Sequence, residues 1–367
     1  MLLMSHWSRE GMVLGMRGIA ACVRWELWSR VLVAGLVLAS WSVQCVSLAG
    51  AQTPSLYERA QDAFKAKHFS EAAPLFAAYA ALDSNSDALL MEGKALVNTG
   101  DLSHAEQALR GYVAQNLRSS DAMYLLGYVL QRENHPKESL EWLTKAAAVA
   151  PPKAEDLKIA ALDYVLLDDY DDAVRWLQRA LQSDDKDAEI WYSLGRARMM
   201  QGNYTAAEQA FHRALILAPT SVKAENNLGL TYEAENRNSE ALAAYAAAIA
   251  WQQRIDHPSE QPLLNYGTLL ISQNRSAEAV TALESAARIA PANAKCHEQL
   301  ARAYEQTGEM EKAQRQMEEA VRLDNGNARL HYQLGQMYRH AGKATQAKDE
   351  LDRSAKLYGT HGTPEDK

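Results

Sequence analysis

Cys296 beside His297, the acid pairs Asp168-Asp169 and Asp171-Asp172, and ten scattered histidines are the side chains here that could hold a metal or move protons. Their spacing speaks against both. A metal site needs three or four converging ligands, and Cys296-His297 offers two with none nearby. His297 and His331 lie 34 residues apart, so they fall at one point of a repeating pattern and read as packing positions. The acid pairs sit at a helix–turn–helix corner, where carboxylates favour the start of the next helix. No phosphate loop, His-Glu-x-x-His or Gly-x-Ser-x-Gly motif occurs. No catalytic residue, cofactor or metal is expected. What remains is recognition chemistry. Tyr and Arg are the types that most often anchor partners, and Tyr124, Tyr128, Arg132, Tyr192, Arg196, Arg302, Tyr332 and Arg339 are the candidates.

The elements that must carry these residues follow from a period of 34 residues after residue 51. The frame defines nine units: 53–85, 86–119, 120–153, 154–187, 188–221, 222–255, 260–293, 294–327 and 328–361. Counting positions from each unit's first residue, position 8 is always Gly or Ala (Gly93, Gly195 and Ala301, for example). Position 20 is Ala except for Ser139, and position 24 is large and apolar, as in Leu109, Phe211 and Tyr245. Small side chains let two antiparallel helices approach closely. Positions 8 and 20 are therefore expected at the crossing, with position 24 filling the space beside it. Positions 4, 7, 8 and 11 share one helical face. Gly100, Gly202 and Gly308 suit helix ends, and Pro151, Pro219 and Pro291 at position 32 stop the second helix.

These residues closely resemble the tetratricopeptide repeat, over roughly residues 53–361. The resemblance implies an all-α, right-handed superhelical solenoid of about nine helix-turn-helix units. First helices would line a concave groove, with specificity at positions 2, 5, 9, 12 and 13. The eight Tyr and Arg candidates occupy such positions, and the implied ligand is a peptide or helix of a protein partner. Relatives that clamp acidic chaperone tails use Asn at position 9, and no unit here has it. Some relatives precede a glycosyltransferase domain; with the repeats running to residue 361, none is expected.

The formal charge is −8, and the four Arg and two Glu of residues 1–51 leave the remainder more acidic still. A phosphate backbone calls for a basic face, so nucleic acid is not an expected partner. Residues 1–51 resemble a bacterial secretory signal. Arg17, Arg24 and Arg30 precede an apolar run, and Ala49 and Ala51 form a small-x-small cleavage site before Gln52. Val31–Ala51 is equally long enough to stay in a bilayer as an anchor. Either way the repeats would lie outside the cytoplasm, periplasmic or facing outward from the inner membrane. The organisation expected is therefore 1–51 signal or anchor, 52–255 units one to six, 260–361 units seven to nine, and a polar tail 362–367. Asp256-His257-Pro258-Ser259 interrupts the frame, either as a longer loop or as a bend that lets two blocks hold a partner at an angle. An exported, non-enzymatic binding scaffold is the expected function. A glycan-modifying or hydrolytic accessory and a self-assembling solenoid are the alternatives.

Overall fold

A computed structural model describes residues 55–83 and 87–360. Residues 1–51, expected as a secretory signal or anchor, and the expected tail 362–367 lie outside the described residues. Among those described there are eighteen α-helices and no strand, and they pair into nine units. In unit five, for example, the first helix is Ala188–Met200 and the second Tyr204–Leu217. The architecture is the expected all-α solenoid.

The turn inside each unit is built one way throughout. Position 15 has a left-handed backbone in all nine units, with φ from 59° to 82°. Glycine fills it at Gly100, Gly202, Gly308 and Gly342; Asn134, Asn236, Asn274, Asp168 and Lys67 fill the others. Asn and Asp tolerate this conformation because their short polar side chains can bond locally. The next amide then closes back on the carbonyl of position 11, as in Asn203 N to Arg198 O at 2.9 Å and Lys343 N to Tyr338 O at 2.9 Å. Glycine accounts for only four of these turns; the Asn, Asp and Lys forms carry no comparable sequence signal.

The helix crossing differs in one respect from the expectation. Positions 8 and 20 are both buried, as expected. The side chain that presses on position 8, however, is the large residue at 24. A Cβ on Gly195 would lie 2.6 Å from the Phe211 ring, and one on Gly267 would lie 2.5 Å from Leu283. Position 24 therefore occupies the crossing itself, and the missing Cβ at position 8 makes room for it.

Units are joined by polar latches as well as apolar contacts. Tyr232, Tyr304 and Tyr338, at position 11, donate to Glu208 (3.0 Å), Glu284 and Glu318 (2.8 Å) on the preceding unit's second helix. Burial first, then the facing carboxylate, pushes the Tyr232 and Tyr304 phenols up to about 12. The second helix of the last unit, Ala344–Thr360, buries Ala347 and Ser354 and exposes Lys348, Asp349, Asp352, Arg353 and Lys356.

Candidate functional site: the inner wall

First helices of successive units touch one another from unit two through unit eight, while second helices approach one another less closely. The stack therefore curves with its first helices inside; position 2, exposed in units two to nine, and position 9, exposed or half-buried in every unit, line the inner wall, while position 5 is buried in five of the nine units.

Tyr128 and Arg132 stand one turn apart on the first helix of unit three, Ser120–Arg132. The Arg132 Nη1 donates to the Tyr128 hydroxyl at 3.2 Å, and its guanidinium lies 6.0 Å from the ring centre. Unit five carries a similar pair one turn earlier in its frame, Tyr192 and Arg196, with the guanidinium again 6.0 Å from the ring centre. The Lys223 ammonium of unit six adds a second cation 4.7 Å from the Tyr192 ring and pairs with Glu189 at 2.5 Å. These contacts hold the two half-buried phenol rings at the surface of the wall, each with a cation alongside.

Tyr124 does not join Tyr128 on the wall, contrary to the expectation from its frame position. It is only 8% exposed, and its hydroxyl donates to the Ala150 carbonyl at 2.8 Å, so it belongs to the packing of unit three. Burial raises its phenol pKa, with a smaller contribution from the Asp156 charge. Arg302 is exposed and donates to Gln299 Oε1 at 3.1 Å. Tyr332 and Arg339 are both exposed on the first helix of unit nine, Ala328–His340.

A second set of residues lies outside the expected groove positions. Position 6 carries a carboxamide in four successive units: Asn227, Asn265 and Gln333 are half-buried, and Gln299 is buried. Asn227 Nδ2 donates to the Tyr192 hydroxyl (3.3 Å) and to Lys223 O (2.8 Å), and Asn265 Nδ2 donates to Asn226 Oδ1 at 2.9 Å. Beside them Glu298, 2% exposed, takes Lys295 and Arg329 at 3.0 Å each. The repeat frame exposes the series once position 6 is counted with the groove positions.

The residues that suggested metal or acid–base chemistry are engaged structurally. His297 Nε2 faces Pro291 O at 3.0 Å and His331 Nε2 faces Asn325 O at 2.9 Å, each six residues back. Trp191 Nε1 donates in the same way to Asp185 O at 2.8 Å. Asp169 accepts from the Asp172 amide at 3.0 Å and so caps its helix. Cys296 is fully buried, and burial pushes its thiol up to about 11. Among the described residues no group of three or more His, Cys, Asp or Glu could hold a metal ion.

Sequence comparison agrees with this architecture. The tetratricopeptide repeat profile matches residues 57–116, 90–155, 160–222, 201–258 and 298–361, and a second profile of the same description matches 270–321. The chain belongs to the tetratricopeptide repeat (TPR) family. The mouse Superkiller complex protein 3 is 37% identical over 81 residues, 22% of this chain and 5% of that protein. The chain thus spans a small part of that relative's length. A TPR protein from Parabacteroides merdae superposes with a TM-score of 0.53 at 18% identity, covering 73% of this chain and 97% of that one. The Cut9–Hcn1 structure of the APC/C superposes with a TM-score of 0.50 at 15% identity, over 78% and 56%. At these identities the structures show the fold alone. Among the described residues no helix is long and apolar enough to cross a membrane.

Proposed function

We propose that this TPR chain is a non-enzymatic scaffold of the cell envelope that holds a segment of a partner protein along its inner wall. The observation that carries the reading is the set of half-buried carboxamides at position 6, Asn227, Asn265 and Gln333, which continues the wall from the Tyr and Arg residues of units three to five; Gln299, the fourth of the series, is buried and supports the wall from behind. An extended peptide presents unpaired N–H and C=O groups at regular intervals, and a carboxamide both donates and accepts. Asn227 spends its donor group on Tyr192 and Lys223, which leaves its Oδ1 to accept from a peptide N–H. A helical partner has its backbone groups already paired, so the series favours an extended segment over a helix. Tyr128, Tyr192 and Arg196 would then grip side chains of that segment.

The envelope location rests on the basic residues, apolar run and small-x-small site of residues 1–51. Mass spectrometry of the protein purified from its native cells is expected to show a chain beginning at Gln52; a retained segment would instead support the anchor. For the groove, a photo-crosslinking residue placed at Tyr128 or Tyr332 is expected to capture one partner in the native envelope. The same probe at Arg213, on a second helix, is expected to capture none. Changing Tyr128, Tyr192 and Arg196 together to Ala should abolish capture from Tyr332 with the helical circular dichroism unchanged. Equal capture from both faces would remove the inner wall as the site.

A further inference from the structure

The four extra residues Asp256–Ser259 fall at the junction of units six and seven, where the second helix of unit six runs on to Gln252. Between that helix and unit seven lies a cleft of about 620 Å³, lined among others by Ile249, Gln252, Ile255, Tyr266, Ala282 and Ile289. It opens between second helices, on the side away from the inner wall, so it stands apart from the groove and does not depend on it.

Gln252 is the unusual member. Its side chain is 3% exposed, yet its Oε1 has no hydrogen-bond partner. A buried amide oxygen without a donor is disfavoured in an isolated protein. The lining is mixed: Ile249, Leu263, Ala282 and Ile289 are apolar, and Gln253, Glu278, Thr281 and Ser285 add polar groups. The volume falls in the range of small-molecule sites, which are mainly apolar with a few placed polar groups. At the edge, Ile255 leaves half of its surface in solvent, available to close over an occupant.

We propose that this cleft binds a small, neutral, mainly apolar molecule that carries one N–H or O–H donor, delivered to the Gln252 Oε1. The ligand's flat or aliphatic body packs against Ile249, Tyr266 and Ile289, and its donor supplies the bond that the buried amide lacks.

Indole and 1-methylindole test the idea, since they share a ring system and differ in the donor. Titrated against the purified protein by saturation-transfer NMR, indole is expected to bind on the order of tenfold tighter than 1-methylindole. Gln252→Leu should bring the two affinities together, and Thr281→Trp, made from an exposed position on the cleft wall, should block both. Circular dichroism and thermal melting would show that both variants keep the fold. Equal affinity of the two probes for the native protein, a preference for indole that survives Gln252→Leu, absence of binding by either probe, or binding that Thr281→Trp leaves intact would each overturn the proposal.

Discussion

Asp163 is fully buried between units three and four, and its chemistry turns on a single serine. The Ser139 hydroxyl lies 2.6 Å from Asp163 Oδ2 and 2.8 Å from the Gly127 carbonyl. A hydroxyl has one proton to give. If Asp163 is neutral, its carboxyl donates to Ser139 and Ser139 donates to Gly127, so both bonds form. If it is ionised, one acceptor goes without, and Oδ1 already lacks a partner. Burial pushes the Asp163 carboxyl up to about 7, against a smaller opposing pull from the Ser139 hydrogen bond. The folded state therefore keeps a proton that the unfolded chain releases near 3.8. Between those values the folded state binds more protons, so this contribution is full at low pH and is lost as pH rises to about 7. In the linkage limit the loss is about 4 kcal/mol. Asp163→Asn is expected to remove that pH slope and to raise the melting temperature at pH 8. Parallel melting curves for the two proteins from pH 4 to 8 would refute it. Tyr124 shows why side-chain roles are only partly legible in the sequence at this scale. Position 5 faces the junction with the next unit; it is covered at Tyr124 and 50% exposed at Tyr332, in the last unit. A frame position specifies direction, and the neighbour decides exposure.

At the scale of the helical hairpin, the alternation of small and large residues marks the crossing in the sequence, but it does not say which pair makes the contact. Position 8 meets position 24, and different units solve the contact with different pairs. Unit five uses Gly195 with Phe211, while unit four uses Ala161 with Leu177, all fully buried. Gly195→Ala should cost about 1–3 kcal/mol, since the new methyl meets a stiff ring 2.6 Å away. Adding Phe211→Leu reproduces the unit-four pairing. The double variant should be less destabilised than the sum of the single changes by about 1 kcal/mol or more, measured as a double-mutant cycle in urea. Simple additivity would show that the two positions do not bear on each other. The turns offer a second case. Lys67 holds φ at 62° on an exposed corner of unit one, where an L-residue with a long side chain is strained. Lys67→Gly should stabilise unit one by about 1 kcal/mol, read as slower amide hydrogen exchange in Leu56–Lys65 and Phe69–Ala80. Unchanged exchange would mean the turn carries no such strain. The glycines at this position announce themselves in the sequence. Lys67, Asn134 and Asp168 do not, because these residue types occur in many other settings.

For the whole molecule, periodicity makes the solenoid legible almost from end to end, because each unit needs only its neighbours and the pattern repeats in every one. Shape between units is less legible, since a few residues of loop fix it. The insertion Asp256–Ser259 illustrates this: the second helix of unit six still packs on the first helix of unit seven, so the stack is continuous across it. Continuity leaves the angle of the junction as the open quantity. In a stack of nearest neighbours, a small rotation at one junction carries every later unit with it, and here units seven to nine would act as the lever. Deleting residues 256–259 restores the 34-residue spacing between units six and seven. If the insertion sets an angle, the deletion should change the maximum dimension in small-angle X-ray scattering by several ångströms, on the scale of one helix turn, about 5.4 Å, with helical content unchanged. It should also collapse the cleft at Gln252, because Ile255 and Pro258 line it from the connection. Superimposable scattering curves would make the insertion a plain loop, and would place the curvature of the groove in the units themselves.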